Sequence, residues 1–217
     1  ADASIAIGYG VVDATAATTG QISSIAFPDN KEDIYLSWIG AGLGIGVVGG
    51  LTILFNHEQI LLDIFEGWHY YRQYLEKNPL LKGNQINTWN GRWISQRYDR
   101  EYDSDDPLMN FNPLVPMSDG LFNLQTVPWA EVIAGIARNN RTSNMVGYLY
   151  SIGQTNTTVG FIPFKLQDII RPSQLYAKIF GESVWMQNRK KVEALYGTAI
   201  GLRAACQAGC IGIPAME

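Results

Sequence analysis

The stretch Ile39-Gly-Ala-Gly-Leu-Gly-Ile-Gly-Val-Val-Gly-Gly50 constrains the fold of this chain more than any other segment. Gly44, Gly46 and Gly49 stand in the GxGxxG spacing of a dinucleotide-binding turn. That turn needs a strand before its first glycine and a helix opening at its last. Asp33–Ile39 reads as a strand, but Gly50-Leu-Thr-Ile-Leu-Phe55 is β-branched and aromatic, with no helix cap. No acidic strand end follows about 20 residues on, as the fingerprint would require. A membrane span is excluded too, because the uncharged run falls short of the ~20 residues needed and is broken by glycines. Gly40, Gly42, Gly44 and Gly46 recur at every second position, with apolar residues between them. Period two is strand geometry, with bare backbone on one face and apolar side chains on the other. Gly49-Gly50 then supplies a two-residue turn into a second strand, Leu51–Phe55, forming a hairpin. Glycines on one strand face invite the close approach of another backbone, a ring or a ligand. Gly40, Gly42, Gly44 and Gly46 are therefore expected to receive a partner chain.

With 217 residues, 47% hydrophobic and 17% charged, the chain is an ordered globular one with enough length for a real core. We expect a single α+β domain over residues 1–217. A net charge of −4 announces no polyanion, so any nucleic-acid role must rest on local patches. Cys206 and Cys210 cannot hold zinc alone, and His57 and His69 lie far away in sequence, so neither a metal nor a cofactor is expected. Two small buried thiols fit a reducing, cytoplasmic compartment, and no leader is visible at Ala1.

Along the chain, Ser4–Val12 suggests a short strand or an interface segment. Asn56 with Gln59 can open a helix carrying Ile60, Leu61, Ile64, Phe65, Trp68, Tyr71 and Leu75, ended by Asn78-Pro79. Residues 82–127 read as a long irregular excursion, acidic and proline-bearing after Asp99. Pro128 opens a helix to Arg138. Met145–Ile152 and Thr157–Phe164 flank a second hairpin, and helices follow over Leu166–Phe180, with Pro172 starting a helix inside that span, and Val184–Ala208. The expected architecture is two β-hairpins packed with several helices and the excursion, because too few helices link successive strands for a doubly wound sheet.

Catalytic patterns are thin: no GxSxG, HExxH or Walker loop occurs, so no catalytic residues and no enzyme are expected. The acidic run from Asp99 to Asp106 lacks the turn glycine and closing glutamate of a calcium loop. Arg92, Arg97 and Arg100 interleave with Trp89, Trp93 and Tyr98, a mixture that can hold phosphates and stack on bases. The same arginines can equally neutralise the acidic run. Gly153-Gln-Thr-Asn-Thr-Thr158 forms a polar hairpin tip, from which Gln154, Thr155, Asn156 and Thr157 could meet phosphates or base edges. Turn chemistry alone also favours those residue types.

Asn87-Thr-Trp-Asn-Gly-Arg-Trp93 and Gly153-Gln-Thr-Asn-Thr-Thr-Val-Gly-Phe-Ile-Pro-Phe164 resemble segments of the cyanobacterial-type large subunits of type I CRISPR interference complexes (Cascade). The resemblance runs from Asp33 to Phe180. It implies a non-catalytic subunit that works with guide RNA, target DNA and other subunits, and contacts DNA near the protospacer-adjacent motif. On that reading the nucleic-acid-binding residues are Arg92, Trp93, Arg97, Arg100, Gln154, Thr155, Asn156 and Thr157. A different class remains open: a small-molecule or carbohydrate binder whose Trp89, Trp93 and Trp129 line an aromatic cleft.

Overall fold

A computed structural model describes residues 31–82, 85–140, 144–151 and 157–187. In chain order the elements are helix α1 (Lys31–Gly42), strands β1 (Ile45–Val47) and β2 (Leu51–Phe55), and helices α2 (Glu58–Lys77) and α3 (Ile86–Arg97). Strands β3 (Leu114–Pro116) and β4 (Phe122–Leu124), helix α4 (Trp129–Asn139), strands β5 (Asn144–Ser151) and β6 (Thr157–Lys165) and helix α5 (Leu166–Phe180) follow. A last helical stretch, α6, covers 182–187. The fold is α+β. One antiparallel sheet has the order β1-β2-β5-β6, and β3 and β4 form a separate two-stranded sheet.

Both expected hairpins form. Val47 pairs with Leu51, so the first turn is the three residues Val48-Gly49-Gly50 and not two. Its two glycines take positive φ, 99° and 75°, which side chains rarely tolerate. Pairing Ile53 with Leu149 joins this hairpin to the β5–β6 hairpin in the middle of the sheet. Alternation puts Ile45, Val47, Leu51, Ile53, Phe55, Met145, Leu149 and Phe164 on one face, all buried in a core shared with Ile60 and Ile64 of α2 and Val132, Ile133 and Ile136 of α4.

Several expectations are corrected. The segment Asp33–Gly42 is helical; only Ile45–Val47 of the glycine run is strand. The end of this helix is held from far along the chain. Asn87 Nδ2 donates to the carbonyls of Ala41 (3.1 Å) and Gly44 (2.9 Å), and Asn90 Nδ2 donates to those of Gly42 (2.6 Å) and Gly44 (2.9 Å). Carbonyls that a helix end leaves open thereby gain partners. Helix α2 begins at Glu58 with His57 as its cap residue and no side-chain cap bond, so the box proposed for Asn56 and Gln59 does not form. Gln59 instead donates to Asp63 Oδ1 at 3.1 Å. Helix α5 starts directly after β6 and runs through Pro172.

The excursion over 82–127 is also corrected, since it holds α3 and the β3–β4 hairpin. Its connecting pieces are tied down. Lys82 N donates to Phe122 O (3.0 Å), Gln85 Oε1 accepts from Leu124 N (2.6 Å), and Val48 N donates to Val127 O (2.9 Å). The segments Ser4–Val12 and Asn188–Lys191, the two cysteines and the rest of the expected last helix lie outside the described residues.

Candidate functional site

Helix α3 carries three of the residues expected to touch nucleic acid, Arg92, Trp93 and Arg97, and it lies inside the molecule. Trp89 and Trp93 are fully buried at 0% exposure. Each indole N–H donates to a backbone carbonyl of α2, Trp89 to Gly67 (2.9 Å) and Trp93 to Asp63 (2.7 Å). Buried indoles need such acceptors, and finding both on one neighbouring helix locks α3 against α2. Trp93 is therefore not a stacking platform. Trp129 is buried as well, so the three tryptophans line no open aromatic cleft and the carbohydrate-binding alternative loses its basis.

Two of the three arginines pair with carboxylates outside the acidic run. Arg97 Nη2 lies 3.8 Å from Asp63 and 3.6 Å from Glu66, both on α2, and its guanidinium sits 4.8 Å over the Tyr102 ring. Arg100 pairs with Glu182 Oε1 at 2.6 Å. Arg92 is half-buried, with a buried Nε that has no hydrogen-bond partner among the described residues. Thr157 opens β6 opposite Ser151. Gln154, Thr155 and Asn156 lie outside the described residues.

The glycines divide. A side chain on Gly42 would meet the Trp68 ring, one on Gly44 would meet Tyr150 and Thr52, and one on Gly46 would meet the backbone of Asn87 at 2.9 Å. Gly91 in turn faces the carbonyl of Gly46, so α3 and β1 touch backbone to backbone. Close approach at Gly42, Gly44 and Gly46 is thus made by the protein's own chain, which occupies the space expected for a partner. Gly40 alone of the four has open space beside it.

Between α2 and α3 sits a buried polar cluster. Asp63, 5% exposed, accepts from Tyr98 Oη at 2.5 Å and from Gln59, and faces Arg97. Burial first, then the hydrogen bond to Asp63, raises the Tyr98 phenol far above its ordinary range, so it stays a donor. A carboxylate held by a phenol, an amide and a guanidinium is a brace between helices, and this cluster ties α3 to α2.

Two further open features stand out among the described residues. The first is an apolar groove on the second face of the sheet. Leu54, Val146, Tyr148 and Phe161 form its floor, with Gly40 of α1, Leu43 just after it and Leu61 of α2 along its sides, enclosing about 480 Å³. Phe161 is 75% exposed, and the neighbouring helix surfaces add exposed Leu36, Ile39, Leu62 and Phe65. The second is a cavity of about 340 Å³ between α4, α5 and α6, lined by Arg100, Arg138, Lys178 and Glu182 over the apolar side chains Ile169 and Ile170. Sequence reading missed it, because its charges come from four separate segments whose spacing forms no motif. Only Arg100 had been singled out.

No protein-family model, curated protein or solved structure matches this chain.

Proposed function

We propose that this chain is a non-catalytic subunit of a larger assembly, and that it docks an apolar helix of a partner subunit in the groove on the outer sheet face. The observation behind this reading is the exposure of Phe161 and Val146 in one groove that Leu43, Leu54, Leu61 and Tyr148 also line. Contiguous apolar surface of that kind is rare on a free monomer and marks contact surfaces. The edge strand argues for a helix lying across the face and against a strand added along it. Within β6, Pro163 has no N–H to donate, and Gly160, at φ 120°, sits beside an irregularity in the register with β5. A helix presenting apolar residues at i, i+3, i+4 and i+7 fits a groove walled by helices.

In its specific form the proposal takes up the resemblance to Cascade large subunits: the assembly would be RNA-guided and antiviral, with guide RNA and target DNA as partners and a cytoplasmic location. DNA contact near the protospacer-adjacent motif would then fall to the tip residues Gln154, Thr155 and Asn156. Among the described residues no helix is long and apolar enough to cross a membrane.

Replacing Phe161 with a photo-crosslinking phenylalanine analogue in the native host tests the docking. The expected product joins Phe161's position to an amphipathic helical segment of another subunit, with nucleic acid in the same purified particle. Crosslinks only to a second copy of this chain, or none at all, would sink the docking reading. A particle free of nucleic acid would sink the RNA-guided form of it.

A further inference from the structure

We propose that the cleft where α2 meets the ends of α3 and α4 binds a neutral polyhydroxyl ligand, a sugar or cyclitol. The site is independent of the groove and of the assembly proposed above. It uses none of the tryptophans whose burial removed an aromatic cleft. About 430 Å³ is enclosed, within the range of small-ligand pockets, roughly 300–1,000 Å³. Its floor is the Asp63–Tyr98 pair, 5% and 6% exposed, and Gln59, Asn139 and Asn140 stand around it. No aliphatic side chain lines it, in contrast to the other two pockets.

The hydrogen bonds already made there indicate what the cleft takes. Its donors are committed to the protein. Gln59 Nε2 and Tyr98 Oη both donate to Asp63. Asn139 Nδ2 donates to the Gly135 carbonyl and Asn140 Nδ2 to that of Ile136, each at 3.1 Å, closing the last turn of α4. Arg97 faces Asp63 and Glu66. What these bonds leave over is acceptors. Gln59 Oε1, Asn139 Oδ1 and Asn140 Oδ1 have no partner among the described residues. Asp63 accepts two hydrogen bonds, and a carboxylate has about four lone-pair sites.

A cleft of open acceptors selects a ligand rich in donors. An anion would meet carbonyl oxygens and a carboxylate. An apolar ligand would desolvate these groups with nothing in return. A cation would meet the Arg97 guanidinium in the wall, and among the described residues no group of His, Cys, Asp and Glu is placed to hold a metal ion. Hydroxyl groups carry donors without charge, and their bonds to a carboxylate are shorter and stronger than neutral ones. Adjacent hydroxyls on a ring offer several such donors at once, to Asp63 at the floor and to the amide oxygens around it. Neither Arg97 nor Asp99 has to supply a free charge.

Titration of the full chain, followed by NMR, tests this with glucose, galactose, mannose and myo-inositol, against cyclohexanol and putrescine. At least one polyol should bind about tenfold or more tighter than cyclohexanol, the scale of one or two hydrogen bonds. Asn139→Leu, at an exposed position, should weaken that binding about three- to tenfold. Asn139→Asp keeps an acceptor in place and should retain most of it. Equal loss in both variants would trace the effect to the lost bond at the end of α4 and overturn the assignment. No polyol binding, or cyclohexanol binding as tightly, overturns it as well. Putrescine binding more tightly than every polyol would make the cleft a cation site instead.

Discussion

Helix α3 and the outer sheet face invert each other. Asn87–Trp93 is polar and basic in composition, yet Trp89 and Trp93 are at 0% exposure and Asn87 and Asn90 point at the backbone of the glycine run. Leu54, Val146 and Phe161 are strand residues of the kind a core uses, yet Phe161 is 75% exposed. What separates the two regions is the supply of partners. Every buried donor on the two indoles and two amides of α3 finds a carbonyl, so desolvation there costs little. The second face of β5 and β6 has no described element laid across its open end, so its apolar side chains stay in water.

The comparison can be broken most forcefully at Trp93. Trp93→Ala leaves an indole-sized void between α2 and α3, deletes the bond to the Asp63 carbonyl, and should cost about 3–5 kcal/mol. Urea unfolding followed by circular dichroism reads this as a lowered midpoint. A midpoint near that of the parent would mean α3 is not part of the core.

Gly91→Ala probes the contact of α3 with β1. Its added methyl meets the carbonyl of Gly46 and the Val127 side chain, and backbone cannot yield as a flexible side chain can. A loss of about 1–3 kcal/mol is expected. In the same assay Gly40→Ala, at a helical position with open space, should be neutral or slightly stabilising. If the two variants behave alike, the close approach is absent.

The brace at Asp63 gives a pH signature. The Tyr98 phenol is raised in the folded protein above its ordinary value of 10.0, so folding favours the protonated form. Its contribution is fully present below pH 10 and is lost as pH climbs from there towards the folded value, by about 1.4 kcal/mol per pH unit for one proton. Tyr71, Tyr74 and Tyr150, also raised by burial, add to the decline. Tyr98→Phe should make alkaline destabilisation shallower above pH 10, while lowering stability at neutral pH by leaving Asp63 short of a donor. An unchanged alkaline slope would separate Tyr98 from Asp63.

The smallest effect on stability is expected on the outer face. Phe161→Ser removes little buried area, and the unfolding midpoint should stay within about 0.5 kcal/mol of the parent. The same variant should lose the partner in the native particle. A large destabilisation would show that Phe161 packs into a core, and the contrast with α3 would collapse.

Much of the topology was legible because its signals are local. Gly49-Gly50 needed positive φ, Pro128 stood at a helix start, and Ile60, Ile64 and Tyr71 repeated on one helical face. The glycine run misled because its period-two pattern spans two elements. Glycine is a poor helix former, and α1 owes its last turn to amides 43 to 48 residues further along the chain. The excursion misled for a related reason. Asn, Thr, Gly and Trp are weak helix formers, and only packing against α2 and β1 repays their ordering. Arg97 and Arg100 do pair with anions. That these would be Asp63, Glu66 and Glu182 depended on which elements became neighbours.

The sequence alone therefore determined the α+β class, the two hairpins and the helices α2 and α4, each set by contacts within a few residues. Tertiary structure decided that Trp89 and Trp93 are core, that Gly44 and Gly46 face this chain's own atoms, and that Arg100, Arg138 and Lys178 share one cavity. The reason is physical. Turn geometry and amphipathic periodicity act over one or two turns of chain, whereas burial, charge pairing and cavities belong to residues that meet only after the chain has folded back on itself.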